Sequence, residues 1–351
     1  MIPNENARYN RCIAKMYATI LTLVLLTIVL LPEVLFAQGS VVAYAFGKEK
    51  VQQNTLSSFP SNNQLNKLTH VVVSAIGCLN DGKLFIRDLP QFWQTPSPAT
   101  NIWNGSTNRW IEDLRIRAHK RGVKVSICIS GDSNDKNFAF ATYGSTLNTF
   151  VDNIVSFVNV HGIDGVDINW EYPQDEDEWA QLIALLNELK TALPSKRISV
   201  ALSGDCPGDY PNSSIPKNIW NTVDAIHLMT YDMPVPRFPS HSDVTASKAS
   251  IDAWKNFGNT FDPVLNKAKL FMGCAFYGKD TNGIKVPYWD GGGSITNRSD
   301  TPASIEDKAN YCYTNGYGGV MIYRLDFDIA KAKNKKSLLN KIWSTNKTLA
   351  K

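Results

Sequence analysis

The sequence predicts an α/β protein built on a single TIM (β/α)8 barrel. Short runs rich in β-branched residues alternate with longer segments of helical period from about residue 38 to the end of the chain. That alternation is typical of a parallel sheet wrapped by helices. The length of 351 residues also suits one such barrel, which commonly takes about 250 residues plus insertions.

Eight runs of the chain are predicted to be the barrel strands. Several are almost wholly apolar, as expected for strands covered by helices on one face and packed against the barrel interior on the other. In chain order they are Val41–Phe46, His70–Ala75, Lys124–Ile129, Gly165–Asn169, Ile198–Leu202, Ala225–Thr230, Lys269–Phe276 and Gly319–Arg324.

Two segments between these strands carry apolar residues at helical spacing, which predicts helices that lie against the sheet. The acidic run Asp175–Glu178 precedes the second segment. We interpret it as favourable charge at a helix N-terminus and not as a catalytic cluster. The apolar positions are Phe150, Ile154, Phe157 and Val158 in the first segment, and Trp179, Leu182, Leu186, Leu189 and Leu193 in the second.

The N-terminus has the layout of a secretory signal peptide. Basic residues up to Lys15 precede the apolar run Tyr17–Leu31, and a small residue follows at Ala37. The apolar run has about 15 residues, fewer than the ~20 that cross a bilayer comfortably. We therefore predict a signal peptide at 1–37, a single domain at 38–351 and secretion to an extracellular or periplasmic space. An uncleaved membrane anchor is the alternative.

Composition and charge restrict the class of ligand. With 43% hydrophobic and 19% charged residues, the chain has enough apolar material for a large core and lacks the composition of a disordered protein. The net charge is only +4 and the basic residues are scattered, so nucleic acid is not an expected partner. We expect a monomer that binds a neutral ligand.

The cysteines do not suggest a metal site. Cys12 lies in the predicted leader, and the five others form an odd set without metal-ligand spacing. Cys128 and Cys274 fall in apolar runs, where a buried free thiol is expected. Disulfides are possible in an exported chain, and the sequence leaves their pairing open. The five are Cys78, Cys128, Cys206, Cys274 and Cys312.

Three polar residues alternate with apolar ones at the end of the fourth predicted strand. Asp167, Asn169 and Glu171 would share one face of that strand and point into the barrel mouth, where TIM-barrel enzymes keep their catalytic groups. A partly buried glutamate among polar neighbours is a plausible general acid. On this pattern alone, a structural hydrogen-bonded cluster explains the three residues equally well.

The segment from Asp164 to Pro173 reads DGVDINWEYP, and it resembles the DGxDxDWEYP signature of family 18 glycoside hydrolases, the chitinases and their relatives. The resemblance extends over the whole predicted domain in the same order. Four further segments carry it: Leu68–Val71 at the second strand, Leu228–Asp232 with the MxYD motif at the sixth, Lys269–Gly278 at the seventh and Gly318–Asp328 at the eighth.

The resemblance implies hydrolysis of β-1,4 linkages in polymers of N-acetylglucosamine such as chitin, without a metal or cofactor. In this family the acetamido oxygen of the substrate attacks the anomeric carbon, which departs from the usual scheme of two carboxylates. Glu171 would protonate the leaving oxygen and then activate water. The residue at position 169 would orient the acetamido N–H, Tyr231 would hold the acetamido oxygen, and Asp167 would lie buried behind the site.

The resemblance also implies four substrate-binding residues. Met229 and Asp232 belong to the MxYD motif, and Asp232 would contact the sugar. Tyr44 lies on the first strand, where the family keeps a tyrosine of the site. Tyr323 stands where the family has a tryptophan beneath the reacting sugar. A tyrosine can still stack under a pyranose ring, although it covers less of the ring.

Two more departures concern charge at the site. Asn169 replaces the second aspartate of the motif, so stabilisation of the developing cation and repulsion on the Glu171 carboxylate should both be weaker. Cys128 stands where the third-strand SxGG motif begins with serine, and Ser130 replaces its first glycine. Because that serine supports the aspartate pair in the family, we interpret the changes at 128 and 169 as coupled.

The shape of the cleft and the exact activity stay less defined. About 40 residues separate Tyr277 from Gly318, too few for the large α+β insertion of many relatives, so we expect a shallow, endo-acting groove. Binding-only lectins of this fold typically replace the glutamate that Glu171 retains, and endo-glycosidases that trim N-linked glycans remain a further alternative. Five tryptophans could line the cleft or pack in the core: Trp93, Trp103, Trp110, Trp220 and Trp289.

Overall fold

A computed structural model gives the fold of most of the chain. The expected signal peptide at 1–37 lies outside the described residues, as do Trp93 and Trp103. The structure describes residues 39–46, 59–86, 106–130, 136–209, 211–233, 240–257, 263–291, 298–329 and 334–349.

Strands and helices alternate along these residues as the sequence predicts. The strands are β1 (Ser40–Phe46), β2 (His70–Cys78), β3 (Leu84–Ile86), β4 (Lys124–Ser130), β5 (Gly165–Asn169), β6 (Arg197–Ser203), β7 (Ala225–Met229), β8 (Leu270–Ala275), β9 (Tyr277–Lys279), β10 (Lys285–Pro287) and β11 (Gly319–Tyr323). The helices are α1 (Asn62–Leu65), α2 (Ser106–His119), α3 (Lys136–Ala141), α4 (Thr146–His161), α5 (Glu176–Ala192), α6 (Ile219–Thr222), α7 (Val244–Asn256), α8 (Pro263–Lys269), α9 (Pro302–Thr314) and α10 (Leu338–Leu349).

Parallel strands close into a barrel in the order β1–β2–β4–β5–β6–β7–β8–β11. Closure comes from β1, which pairs in parallel with both β2 and β11. All eight predicted strands are present, and the predicted TIM barrel is confirmed. The largest shift in bounds is in β2, which continues to Cys78 because its last residues pair with the short antiparallel strand β3.

The two predicted helices are also confirmed, as α4 and α5. Their apolar residues are buried against the barrel, and α4 ends at Gly162, whose φ of 61° lies in the left-handed region that favours glycine. The side chain of Asp175 accepts a hydrogen bond from the backbone N–H of Glu178. The acidic run therefore caps α5, as interpreted from the sequence.

Between β8 and β11 the described residues form a small ribbon and a helix. Strands β9 and β10 pair antiparallel, and α9 follows after an interval that includes residues outside the described ranges. The carboxyl ends of the barrel strands are consequently flanked here by a short hairpin. This hairpin carries Lys279 and Lys285, which are paired across its two strands.

The cysteines of the described residues are buried or partly buried. Cys128 and Cys274 are fully buried, as expected, and none of the five cysteines in the described residues forms a disulfide. Among the helices of the described ranges, none is both long enough and apolar enough to cross a membrane.

Candidate functional site

Three polar residues on β5 and just after it lie together at the carboxyl end of the barrel. Asp167 is fully buried, whereas Asn169 and Glu171 are partly exposed. The Nδ2 atom of Asn169 donates a hydrogen bond of 2.9 Å to Oε1 of Glu171. The Oδ1 atom of the same amide is buried and has no hydrogen-bond partner among the described residues. An acceptor is thus left unsatisfied beside the glutamate.

Side chains from three other strands surround the carboxylate of Asp167. The hydroxyl of Tyr44 donates to Oδ2 over 2.6 Å, and the hydroxyl of Ser199 donates to Oδ1 over 2.5 Å. The Nδ1 atom of His227 lies 3.1 Å from Oδ1 and 3.0 Å from the Tyr44 hydroxyl. Asp167 is therefore held in the barrel interior by side chains of three other strands.

These partners determine the charge of Asp167. Burial by itself would raise its pKa, but His227 and the hydrogen bonds from His227, Ser199 and Tyr44 outweigh burial and lower the pKa below its ordinary value. Asp167 consequently remains an anion in a fully buried position. A negative charge is preserved two residues before the neutral Asn169 on the same strand face.

Cys128 lies directly opposite Asp167 in the pairing of β4 with β5. Its side chain interacts with Asp167 and with Ser74. Burial, followed by the charge of Asp167, raises the pKa of the Cys128 thiol well above its ordinary value. The thiol therefore stays protonated and offers the carboxylate a weak S–H donor.

Tyr231 is held at the end of β7 by a close approach of β8. It is buried, and a Cβ atom added to Gly273 would lie 2.8 Å from its ring. Burial, followed by the charges of Tyr323 and Glu171, raises the pKa of the Tyr231 phenol well above its ordinary value. Its hydroxyl, which otherwise makes a long contact of 3.7 Å with the sulfur of Met321, remains a donor.

Asp232, the next residue after Tyr231, has an unusual backbone conformation and charged neighbours. Its φ of 60° is uncommon for a non-glycine residue, although aspartate tolerates it better than most. The carboxylate accepts a hydrogen bond of 2.7 Å from the Tyr277 hydroxyl and pairs with Lys279 at 2.6 Å. Residues in sparsely populated backbone regions cluster at functional sites, and Asp232 is such a residue.

An aromatic group lies at the barrel mouth beside these residues. The partly exposed Tyr323 lies with its ring centroid 5.7 Å from that of Tyr231 and 5.8 Å from that of Tyr277. Phe46 contacts Tyr323 edge-on at 5.5 Å. The arrangement leaves Tyr323 as an aromatic surface next to the polar residues of the site.

The remaining expected site residues take different positions. Met229 ends β7 and is partly buried against the core. Tyr44 was expected to bind substrate, but it is buried and its hydroxyl is engaged by Asp167 and His227. The Tyr44 hydroxyl contacts the Asp167 carboxylate, because β1 directs the tyrosine ring into the barrel interior.

Two of the tryptophans belong to the core and do not line a cleft. Trp110 donates from Nε1 to the carbonyl of Phe59, and Trp220 donates to that of Phe257. Both rings are buried. Burial removes their large apolar surface from water, and the two carbonyl groups accept the hydrogen bonds of their N–H donors. Trp289, in contrast, is 48% exposed and follows β10.

Sequence reasoning missed several groups of the site. Ser199 and His227 are polar residues on otherwise apolar strands, a signal that could have identified them as partners of a buried charge. Lys279 and Lys285 gave no such signal, because lysines in a hairpin are ordinary surface residues. Only the fold brings them to Asp232.

Known proteins resemble this chain in sequence. The sequence model of the family described as "Glycosyl hydrolases family 18" matches residues 40–328. Chitinase 1 of Aphanocladium album is 26% identical over 345 residues, which cover 80% of each chain.

Solved structures share the fold. A chitinase from Bacteroides thetaiotaomicron superposes with a TM-score of 0.68 at 20% identity, covering 88% of this chain and 96% of that one. The GH18 chitinase ChiB of Flavobacterium johnsoniae gives a TM-score of 0.67 at 21% identity, covering 89% and 95%. At such identities the likeness establishes the barrel fold.

Proposed function

Because this chain belongs to family 18 of the glycosyl hydrolases, we propose that it is an endo-acting chitinase that cleaves β-1,4 linkages between N-acetylglucosamine units. The observation that carries the proposal is the pairing of Asn169 with Glu171, which leaves the Asn169 Oδ1 atom buried and unsatisfied. A carboxyl group beside a vacant acceptor suits a sugar with an acetamido N–H.

In the first step, the acetamido oxygen of the substrate forms a bond to the anomeric carbon as the glycosidic bond breaks. Glu171 transfers its proton to the leaving oxygen. Asn169 accepts the acetamido N–H at Oδ1, and Tyr231 donates its hydroxyl proton in a hydrogen bond to the acetamido oxygen. The result is a bound oxazolinium ion and a carboxylate at Glu171.

In the second step, Glu171 takes a proton from water, and the resulting hydroxide bonds to the anomeric carbon. The bond from the acetamido oxygen to that carbon breaks, which restores the acetamide. Two inversions at one carbon retain its configuration. Asp167, which its partners keep ionised, supports the cationic intermediate electrostatically from behind Asn169.

The aromatic surface and Asp232 provide the binding part of the proposal. Tyr323 would stack beneath the reacting sugar, with Met229 and Asp232 at its edge. The short β9–β10 hairpin suits a shallow groove, and a shallow groove suits cleavage within a polymer. We extend the proposal to a secreted monomer whose leader at 1–37 is removed and whose domain spans 38–351.

Turnover of two substrates tests the proposed function. Purified protein is incubated with N-acetylglucosamine oligosaccharides of four to six units and, separately, with an N-glycopeptide that contains a chitobiose core. Cleavage of the oligosaccharides with little release from the glycopeptide is expected. Preferential cleavage of the glycopeptide would identify an endo-glycosidase, and tight binding without turnover of either would identify a lectin.

A further inference from the structure

A lysine ammonium lies over the aromatic face that the proposed function assigns to the reacting sugar. Lys285 is the first residue of β10, and its Nζ atom lies 4.8 Å from the ring centroid of Tyr323. The same atom lies 4.8 Å from the ring centroid of Tyr277. The two rings meet at 71° with centroids 5.8 Å apart, so the ammonium sits in the angle between them.

The pairing of the two hairpin strands places Lys285 opposite a second lysine. Lys285 is directly opposite Lys279 in the pairing of β9 with β10, and like charges in that relation are destabilising. Asp232 offsets the repulsion, since its carboxylate lies 2.6 Å from the Lys279 ammonium and 3.7 Å from that of Lys285. One carboxylate therefore holds both ammonium groups, and of the two only that of Lys285 lies over the rings of Tyr277 and Tyr323 in the described part of the chain.

Asp232 is a dependable anchor for both lysines. Burial would raise its pKa, but the contact with His241, the charge of Lys285 and the hydrogen bond from Lys279 lower the pKa well below its ordinary value. The carboxylate is therefore ionised at neutral pH. Its own position is fixed further by the Tyr277 hydroxyl.

Lys285 is more exposed than the aromatic rings that surround Tyr323. Tyr44, Phe46 and Tyr231, the other rings around Tyr323, are buried in the barrel. The side chain of Lys285 is instead 42% exposed. A sugar in contact with Tyr323 must approach from the open side, and its atoms would come within about 4 Å of the ring, into the space that the ammonium fills.

We infer that Lys285 is an affinity-determining residue of the sugar site that competes with the substrate for the face of Tyr323. The inference rests on the proposed function, because it takes Tyr323 as the floor of that site. Binding of a neutral pyranose displaces the ammonium and exchanges a cation–π contact for a sugar–ring contact. The free protein is thereby stabilised relative to the complex, and its affinity for the neutral sugar is reduced.

The size of the effect follows from the strength of the contact that is lost. Cation–π contacts of partly exposed lysines correspond to about two- to thirtyfold in an equilibrium constant. An ammonium that stayed nearby would also repel the oxazolinium ion. Removal of Lys285 should therefore tighten binding of neutral oligosaccharides and raise kcat/KM.

Calorimetric titration with N-acetylglucosamine tetrasaccharide tests the inference. Binding is measured in a Glu171→Gln background, which prevents turnover, with and without Lys285→Ala. Lys285→Ala is expected to lower the Kd about two- to thirtyfold. Lys279→Ala is the matched control, because it removes an equal charge from the same carboxylate but has no contact with Tyr323 among those the structure describes. It should not lower the Kd.

Each other outcome has a distinct meaning. A Kd that is unchanged or raised by Lys285→Ala contradicts the inference and leaves the proposed function intact. An equal decrease in both lysine variants contradicts it too, since net charge alone would then explain the change. Absence of tetrasaccharide binding by every variant, together with absence of turnover by the wild type, would overturn the proposed function itself. Thermal unfolding of Lys285→Ala checks that the hairpin is preserved.

Discussion

Asn169 donates its amide N–H to Glu171, and it directs its carbonyl oxygen to a buried position without a partner. The reverse orientation of the amide would bring two acceptors together whenever Glu171 is ionised. The hydrogen bond to the glutamate thus determines where the vacant acceptor points. An acetamido N–H that reached the Asn169 Oδ1 atom would supply its hydrogen bond.

Glu171→Gln should abolish hydrolysis and largely preserve oligosaccharide binding. The substitution removes the transferable proton with little change in volume, and the new side-chain oxygen can still accept from Asn169. Initial rates and tetrasaccharide affinity provide the two measurements. Glu188→Gln is a matched control, because Glu188 is exposed on α5 and its replacement makes the same charge change away from the site. Wild-type turnover by Glu171→Gln would exclude Glu171 as the acid.

The first product released should be the β-anomer. Attack by the acetamido oxygen and subsequent attack by water are two inversions at one carbon, which give net retention. Proton NMR of the earliest product, recorded before mutarotation, distinguishes the anomers. Release of the α-anomer first would contradict the proposed mechanism, whereas the identity of the general acid would still be testable separately.

Asn169→Asp should raise the rate constant for chemistry, and more so when combined with Cys128→Ser. A negative charge next to the oxazolinium ion is typically worth a few kcal/mol, roughly 10²-fold in rate. Cys128 lies opposite Asp167, and a serine there would be a stronger donor to that carboxylate. The double change should then exceed the product of the two single effects.

Measurement of kcat for the wild type, the two single variants and the double variant on one chitin oligosaccharide completes the cycle. The wild type supplies the reference, and the thermal midpoint of each variant shows whether the strands tolerate a second carboxylate. Multiplicative effects would mean that positions 128 and 169 are independent. A lower rate in every variant would mean that the site has adapted to asparagine.

Protonation of His70 should make stability depend on pH below neutrality. Burial, followed by the charges of Arg197 and His227, lowers the pKa of His70 from 6.5 to about 3. Between these values the unfolded chain binds a proton that the folded chain does not. The contribution of neutral His70 to stability is therefore fully present above pH 6.5, and it is lost as the pH falls from 6.5 towards 3.

His70→Asn should reduce this dependence. The partial exposure of His70 screens its charge, so the wild type should lose about 1 kcal/mol more than the variant between pH 7.5 and 5.5, below the limit for one proton. An asparagine keeps a group that can contact the Thr69 hydroxyl, which lies 3.0 Å from Nδ1 of His70. Urea unfolding at several pH values gives the curves, and parallel curves would show that His70 is protonated in the folded protein.

The sequence by itself determined the barrel, its eight strands and the candidate catalytic segment at β5. Period-2 and period-3.6 patterns report which face of each element is buried, and the motif that contains Glu171 is one continuous segment that includes β5 and extends just beyond it, so both are local properties of the chain. The acidic cap of α5 was predictable for the same reason, since Asp175 and Glu178 are neighbours in sequence.

Only the tertiary structure decided which residues from different strands meet. Closure of the barrel brings Tyr44, Ser199 and His227 to Asp167, and it buries the side chain of Tyr44. It also places Trp110 and Trp220 in the core and Lys285 over Tyr323. These contacts join residues far apart in sequence, and no local pattern encodes them because they depend on the packing of strands and loops against one another.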